Sequence, residues 1–163
     1  MKEDQLTKSE YLTDIEMRER VIRLAFGGNE DLFNEFCDWI RVAVPEGTSA
    51  VLRGSSITGF RWSDGAPFDG DGPGTSDLDL NLVGDEILSK YSLLDGFYLP
   101  AIHTKPLSDK DPNIAPELVR LRDKLMSLVN RPVNIQASRD FVIYLRGDLI
   151  GQPYLTLFGK TGG

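Results

Sequence analysis

The chain has 163 residues, of which 40% are hydrophobic, and this is enough apolar material for one compact domain spanning residues 1–163. Its formal net charge of −7 argues against a general nucleic-acid binder, because such proteins carry a basic face that neutralises phosphates. The single cysteine excludes an internal disulfide, and the lack of a signal peptide or a membrane-length apolar run predicts a cytoplasmic protein without a membrane partner.

Two amphipathic helices are predicted at residues 13–44. The first runs from about Thr13 to Phe26 and ends at Gly27-Gly28. The second covers about Asn29 to Val44, and its apolar stripe consists of Leu32, Phe33, Phe36, Cys37 and Ile40. Because Cys37 belongs to this stripe, we expect it to be a buried apolar residue and not a nucleophile.

Two central strands are predicted next, at Thr48–Arg53 and Asp77–Val83. The turn Gly54-Ser55-Ser56 follows the first strand directly. A long loop over residues 60–75, rich in glycine and aspartate, leads to the second strand and is expected to be mobile. Beside a site, such a loop is either a lid or acceptor-binding flap, or a surface insertion without a role.

Asp77 and Asp79 alternate with leucines, so both carboxylates are predicted on one face of the second strand. Their Cα atoms would lie roughly 6.5–7 Å apart, which lets both side chains reach one divalent ion. Two neighbouring acids repel each other, and a hard cation such as Mg²⁺ relieves that repulsion. The alternative is an ordinary strand with a solvated acidic face.

The Gly54-Ser55-Ser56 turn is suited to a phosphate, since glycine lets the backbone approach a ligand and the turn exposes amide and hydroxyl donors. Alone it is also an ordinary loop or helix cap. Together with Asp77 and Asp79, it resembles the polymerase-beta-like nucleotidyltransferase superfamily, in which an apolar strand, a Gly-Ser turn and an Asp-apolar-Asp strand follow one another. The resemblance covers about residues 48–84.

This resemblance implies a Mg²⁺-dependent nucleotidyltransferase built on a small mixed sheet flanked by helices. Gly54 and Ser55, with Ser56 beside them, would hold the triphosphate of a nucleoside triphosphate, and Asp77 and Asp79 would bind the catalytic Mg²⁺. An acceptor hydroxyl would attack the α-phosphorus, and pyrophosphate would leave. The acidic composition favours a protein side chain or a small molecule over long RNA as the acceptor.

One departure from the family concerns its third carboxylate. Here Asn134 stands in the corresponding strand setting, within Val133-Asn134-Ile135. We expect Asn134 beside the acidic pair as a metal ligand, although an amide brings no negative charge and accepts no proton. Either the activity is weakened, another acid such as Asp140 substitutes, or the chain is a catalytically weakened domain that binds nucleotide without turning it over. Such a domain would act as a sensor, or with a separately encoded helical partner as in toxin–antitoxin pairs.

The rest of the chain completes a predicted α/β or α+β fold around one sheet. The remaining predicted elements are a short helix at Asp85–Tyr91, an irregular stretch up to Pro116, an amphipathic helix opened by Pro116, a strand at Pro132–Ala137, a helix from Arg139 to about Arg146 capped by Ser138, and a strand at Tyr154–Phe158. His103, the only histidine, is interpreted as a structural loop residue. Three cations are either polyphosphate ligands or solvated charges: Arg53, Arg61 and Lys105.

Overall fold

The computed structural model describes residues 12–160, and residues 1–11 and 161–163 lie outside the described part. The helices are α1 (Asp14–Ala25), α2 (Glu30–Ala43), α3 (Ser55–Thr58), α4 (Asp85–Leu88), α5 (Val119–Val129) and α6 (Asp140–Tyr144), with a 3-10 turn at Pro116–Leu118 and a π-helical turn at Leu145–Leu149. The strands are β1 (Ser49–Arg53), β2 (Leu78–Val83), β3 (Phe97–Leu99), β4 (His103–Thr104), β5 (Val133–Ser138) and β6 (Leu155–Phe158).

The strands form one six-stranded mixed sheet in the order β3-β4-β5-β2-β1-β6. The β2 and β5 strands are parallel, whereas the other neighbouring pairs are antiparallel. Helices pack beside this sheet, which confirms the predicted α+β class. Within residues 12–160, no helix combines the length and the apolar character needed to cross a bilayer.

The two N-terminal helices match the sequence pattern to within one residue at each end. Thr13 and Asn29 cap them, each with a side-chain oxygen that accepts a hydrogen bond from a backbone N–H of the first turn. After α1, the N–H of Gly28 donates to the carbonyl of Ile22 at 2.9 Å, which closes the helix as its two glycines predict. Cys37 is buried, and burial raises the pKa of its thiol to about 11, in keeping with the predicted apolar role.

The two faces of the sheet have different surroundings. The apolar face lies in the main core beneath α1, α2 and α5, and its fully buried side chains include Leu52, Leu78, Leu80, Leu82, Val133 and Ile135. Alternation along β2 and β5 turns the intervening residues to the other face, which carries Asp79, Asn81, Asn134 and Gln136. A small apolar cluster covers part of that polar face, and it consists of Val51, Val83, Ile143 and Tyr154.

Three sequence predictions outside the site are wrong. The stretch before Pro116 contains the β3–β4 hairpin, so His103 is a buried strand residue and not a loop residue. Ser138 ends β5 and its Oγ accepts a hydrogen bond from Asn81 at 2.9 Å, so it does not cap the last helix. The helix predicted at Asp85–Tyr91 ends at Leu88. Each error concerns a short element whose position depends on tertiary contacts.

The second half of the loop over residues 60–75 is anchored to the core. Phe68 is buried there, and the guanidinium of Arg131 lies 4.7 Å from the centre of its ring. Arg131 also donates to both carboxylate oxygens of Asp69, at 2.8 and 3.0 Å, and this contact helps to lower the pKa of Asp69 to about 2. Trp62, in contrast, is 70% exposed. Part of the predicted mobile loop is therefore built into the fold.

Candidate functional site

The acidic pair lies on the polar face at the beginning of β2. Asp79 pairs in register with Arg53 of β1 on one side and with Asn134 of β5 on the other. Residues that pair in register share a face of the sheet, so these three side chains form one row. Asp77 lies one residue before β2 begins and is exposed, whereas Asp79 is partly buried.

Asn134 connects the two carboxylates. Its Nδ2 donates to Oδ2 of Asp77 at 2.6 Å and to Oδ1 of Asp79 at 3.2 Å. The side chain therefore lies where the family resemblance predicts it, beside the pair and turned towards it. It presents its nitrogen, however, and coordination of a metal through Oδ1 would require a half-turn of the amide. In this arrangement the amide N–H group occupies the point on which both carboxylates converge.

Negative charge is disfavoured at Asp79. Burial raises the pKa of its carboxyl to about 6, and repulsion from Asp77 adds to the effect. The hydrogen bond from Asn134 and the charges of Arg53 and Arg146 act in the opposite direction but do not cancel it. A cation bound between the two carboxylates would favour the ionised form of both. The electrostatics of the pair therefore suit a metal ion.

The converging carboxylates fit Mg²⁺, which proteins commonly hold with one or two carboxylates while waters and substrate phosphates complete the shell. Within residues 12–160, no group of three or more His, Cys, Asp and Glu side chains is arranged to hold a metal. Asp140 does not supply the third acid. It follows Ser138, which pairs with Val83 at the end of β2 opposite to Asp77. The substitution by Asp140 considered from the sequence is thus ruled out.

Gly54 brings the turn into direct contact with the acidic pair. Its φ of +84° lies in the region that favours glycine, and a Cβ at this position would lie 2.5 Å from Oδ2 of Asp79. Any other residue would displace either the turn or the carboxylate. The neighbouring Ser55 lines a cavity beside Asp79, whereas Ser56 is fully buried outside the cavity lining and its Oγ has no partner among the described residues.

This first cavity, which we call the turn cavity, has a volume of about 330 Å³. Its lining includes Arg53, Gly54, Ser55, Thr58, Phe60, Arg61, Trp62, Asp77 and Asp79. The exposed rings of Phe60 and Trp62 offer surfaces of the kind on which nucleobases stack. Arg61 is bound to Asp64 at 2.9 Å and to Asp71 at 2.8 Å, so its charge is already paired.

A second cavity, which we call the arginine cavity, lies beside the same acid and has a volume of about 210 Å³. Its lining includes Arg53, Asp79, Asn81, Tyr98, Asn134, Gln136 and Arg146. Burial lowers the pKa of Arg53 to about 10, and the nearby charge of Arg146 contributes to this shift. Arg53 and Asp79 line both cavities, so they form part of the wall between them.

Sequence reasoning missed several residues of the arginine cavity. Asn81 and Gln136 follow Asp79 and Asn134 by two positions, so strand alternation could have placed them on the polar face. No comparable signal exists for Arg146, which reaches the cavity from the π-helical turn after α6. Lys105 lines neither cavity.

His103 lies near the arginine cavity but makes a poor proton acceptor there. Its Nε2 is 3.2 Å from Nε2 of Gln136, and the ring is buried. Burial lowers the pKa of His103 to about 4, and the charges of Arg146 and Arg53 add to this effect. The imidazole is therefore neutral at pH 7 and is only a weak base.

Comparisons of the chain with protein-family models, with curated proteins and with solved structures found no match. The resemblance to polymerase-beta-like nucleotidyltransferases therefore rests only on the residues of the strand–turn–strand motif.

Proposed function

We propose that this chain binds a nucleoside triphosphate with Mg²⁺ and transfers its nucleotidyl group to an acceptor hydroxyl. The observation that carries the proposal is the convergence of the Asp77 and Asp79 carboxylates, both within hydrogen-bond distance of one amide nitrogen, beside the turn cavity. Gly54 packs against the same acid, so a phosphate on the turn would lie next to the metal ligands.

The residues of the turn cavity have complementary roles in this proposal. Asp77 and Asp79 would hold Mg²⁺, which when bound supplies neutralisation of phosphate charge. The Ser55 hydroxyl would donate to a phosphate oxygen, and Trp62 would stack on the nucleobase. The protein would act chiefly by holding the triphosphate in place while excluding part of the solvent.

The reaction forms a bond from the acceptor oxygen to the α-phosphorus and breaks the bond from that phosphorus to the bridging oxygen, so that pyrophosphate leaves with the electron pair. The acceptor hydroxyl also loses its proton, which would pass to bulk water. Asn134 cannot take this proton, and the described residues offer no third carboxylate at the pair. This observation favours a second candidate function, which is nucleotide binding without turnover as a sensor or as a module completed by a separate helical partner.

Nucleotide binding is tested by the thermal unfolding of the purified protein with each nucleoside triphosphate, with and without Mg²⁺. Because a ligand that binds only the folded state stabilises it, we expect a higher Tm with at least one nucleotide and only when Mg²⁺ is present. The double variant Asp77→Asn, Asp79→Asn should lose the shift. The matched control is Asp85→Asn, which removes an exposed acid just beyond the opposite end of β2. An equal shift in the double variant would refute the metal site.

Turnover separates the two candidates. The protein is incubated with Mg²⁺, the nucleotide that binds and a mixture of small hydroxyl-bearing molecules, and pyrophosphate release is measured together with the masses of protein and small molecules. Pyrophosphate matched by a nucleotidylated product supports the transferase. Tight nucleotide binding without pyrophosphate supports the sensor or partner module.

A further inference from the structure

The arginine cavity contains buried polar atoms that no protein group satisfies. Among residues 12–160, Nε and Nη1 of Arg53 and Nη1 of Arg146 are buried without a hydrogen-bond partner. Oδ1 of Asn81 also lacks a partner, and this residue is only 2% exposed. Each unpaired buried polar atom costs free energy, so native proteins leave few of them. A ligand that supplies the missing partners accounts for all three side chains.

The charge of the cavity indicates what that ligand carries. The charge of Arg146 acts on Arg53 as a like charge, while the nearby Asp79 attracts both guanidinium groups. Among the described residues, neither arginine forms an ion pair with an acid. A bound oxyanion would relieve their repulsion, because the planar guanidinium matches the geometry of a phosphate or carboxylate. The unpaired Oδ1 of Asn81 is an acceptor, which an O–H or N–H group of the same ligand would satisfy.

Two separate elements bring these arginines together. Arg53 is the last residue of β1, while Arg146 lies on the π-helical turn Leu145–Leu149. π-Helical turns are rare and occur frequently at functional sites. The π-helical turn therefore adds the second cation to the cavity.

The position of the cavity indicates when the ligand acts, and this step rests on the proposed function. In phosphoryl and nucleotidyl transfer, the attacking and the leaving oxygens lie roughly in line on opposite sides of the phosphorus. A triphosphate in the turn cavity places the leaving pyrophosphate on that side of Asp79. The acceptor then approaches from the other side of the shared wall, which is the side of the arginine cavity.

We propose that the arginine cavity binds the acceptor, and that the acceptor is a small molecule carrying an oxyanion and at least one hydroxyl group. Its phosphate monoester or carboxylate pairs with Arg53 and Arg146, and one of its hydroxyls donates to Oδ1 of Asn81. The volume of about 210 Å³ admits a compact molecule of this kind.

The proposal is tested by calorimetric titration of the metal-free and nucleotide-free protein with three probes. These are glycerol 3-phosphate, glycerate and glycerol, which share hydroxyl groups but carry a phosphate, a carboxylate or no charge. We expect one or both anions to bind and glycerol not to bind. The anion that binds more tightly shows whether the cavity prefers a phosphate or a carboxylate. Failure of both anions to bind at millimolar concentration would overturn the proposal.

Charge-removing variants locate the binding. Arg146→Met and Arg53→Met should each weaken anion binding at least about tenfold, because each removes charged hydrogen bonds. Arg139→Met is the matched control, since it removes an exposed arginine just beyond the other end of β5, and its affinity should stay within about twofold of the parent. Equal weakening in the control would show unspecific attraction and overturn the proposal. Should Arg53→Met fail to fold, Arg146→Met decides the outcome.

Nucleotide binding in the same variants separates this proposal from the proposed function. An Arg146→Met protein that loses anion binding but keeps Mg²⁺-dependent nucleotide binding supports an acceptor site. A comparable loss of nucleotide binding would assign the arginines to the triphosphate and overturn the acceptor role. If the parent protein binds the anions but no nucleotide, the proposed function and the acceptor role fail together, while the oxyanion site itself stands.

Discussion

The two faces of the central sheet carry different kinds of side chain, although the same strands supply both. Leu78, Leu80 and Leu82 of β2 point into the main core, and the residues between them line the two cavities or support them. Side chains on the first face are held by packing, whereas those on the second are held by a few hydrogen bonds and leave several polar atoms unsatisfied. Because side chains alternate along a strand, neighbouring residues lie on opposite faces: one packs in the core and stabilises the fold, and the next lines the polar site.

The largest effect is expected on the apolar face. Leu80→Ala removes a side chain that is only 1% exposed, and we expect it to lower the free energy of unfolding by about 3 kcal/mol through lost burial and a residual cavity. Chemical denaturation measures this change. Val42→Ala, at an exposed position of α2, is the control and should change stability by less than about 0.5 kcal/mol. If Leu80→Ala lowered the free energy of unfolding no more than the control, packing on the apolar face would not be the main source of stability.

The ion pair between Arg131 and Asp69, which holds the loop over residues 60–75, shows whether charge also contributes to stability outside the site. Arg131→Met leaves Asp69 without its guanidinium partner, and we expect a loss of about 2 to 3 kcal/mol in the free energy of unfolding. Limited proteolysis should then cut the loop over residues 60–75 faster than in the parent. Arg139→Met removes an exposed ion pair and should cost less than about 1 kcal/mol. Unchanged proteolysis would show that Phe68 alone holds the loop.

On the polar face, a substitution is expected to raise the free energy of unfolding, whereas the two substitutions above lower it. The raised pKa of Asp79 means that the folded state binds a proton more readily than the unfolded chain, so stability without metal falls as pH rises from about 4 to about 6. Asp79→Asn should therefore be more stable than the parent by roughly 1 to 2 kcal/mol at pH 7.5, and this advantage should vanish near pH 4.

Denaturant unfolding of both proteins at the two pH values, in the presence of a chelator, measures this difference. Asp85→Asn is the control at an exposed acid and should show no such advantage. A variant less stable than the parent at pH 7.5 would mean that Asp79 is held by its hydrogen bond to Asn134 and not opposed by burial.

The smallest effect on stability is expected at Asn134. Asn134→Asp adds a third carboxylate and removes a donor shared by the pair, so stability without metal should fall by about 1 kcal/mol at neutral pH. Mg²⁺ should bind about tenfold more tightly, because a charged oxygen is a better ligand than an amide for a hard cation. Gln136→Glu adds the same charge two residues away and should improve Mg²⁺ binding less, as calorimetry would show.

The long, strongly patterned segments were predictable from the sequence. The stripe of α2 and the alternation of β2 follow from periodicity, and the structure agrees with both. The place of Asn134 beside Asp79 is expected only from the family resemblance, and the structure agrees with it. What the sequence did not indicate depends on packing across the chain. The β3–β4 hairpin forms because β4 pairs with the edge of β5, and Arg146 joins the site only through a π-helical turn that has no sequence signature.

The parallel pairing of β2 with β5 has a consequence for how the protein is made. Asn134 contacts Asp77 across 57 positions of the chain, and the segment between the two strands contains α4, the β3–β4 hairpin, the 3-10 turn and α5. Closing such a long segment is an entropic cost that comes before the contact forms. During synthesis, the turn and both acids emerge from the ribosome well before their partner strand. The complete site is therefore a late product of folding, and a chain that is cut short before β5 carries the motif without the site.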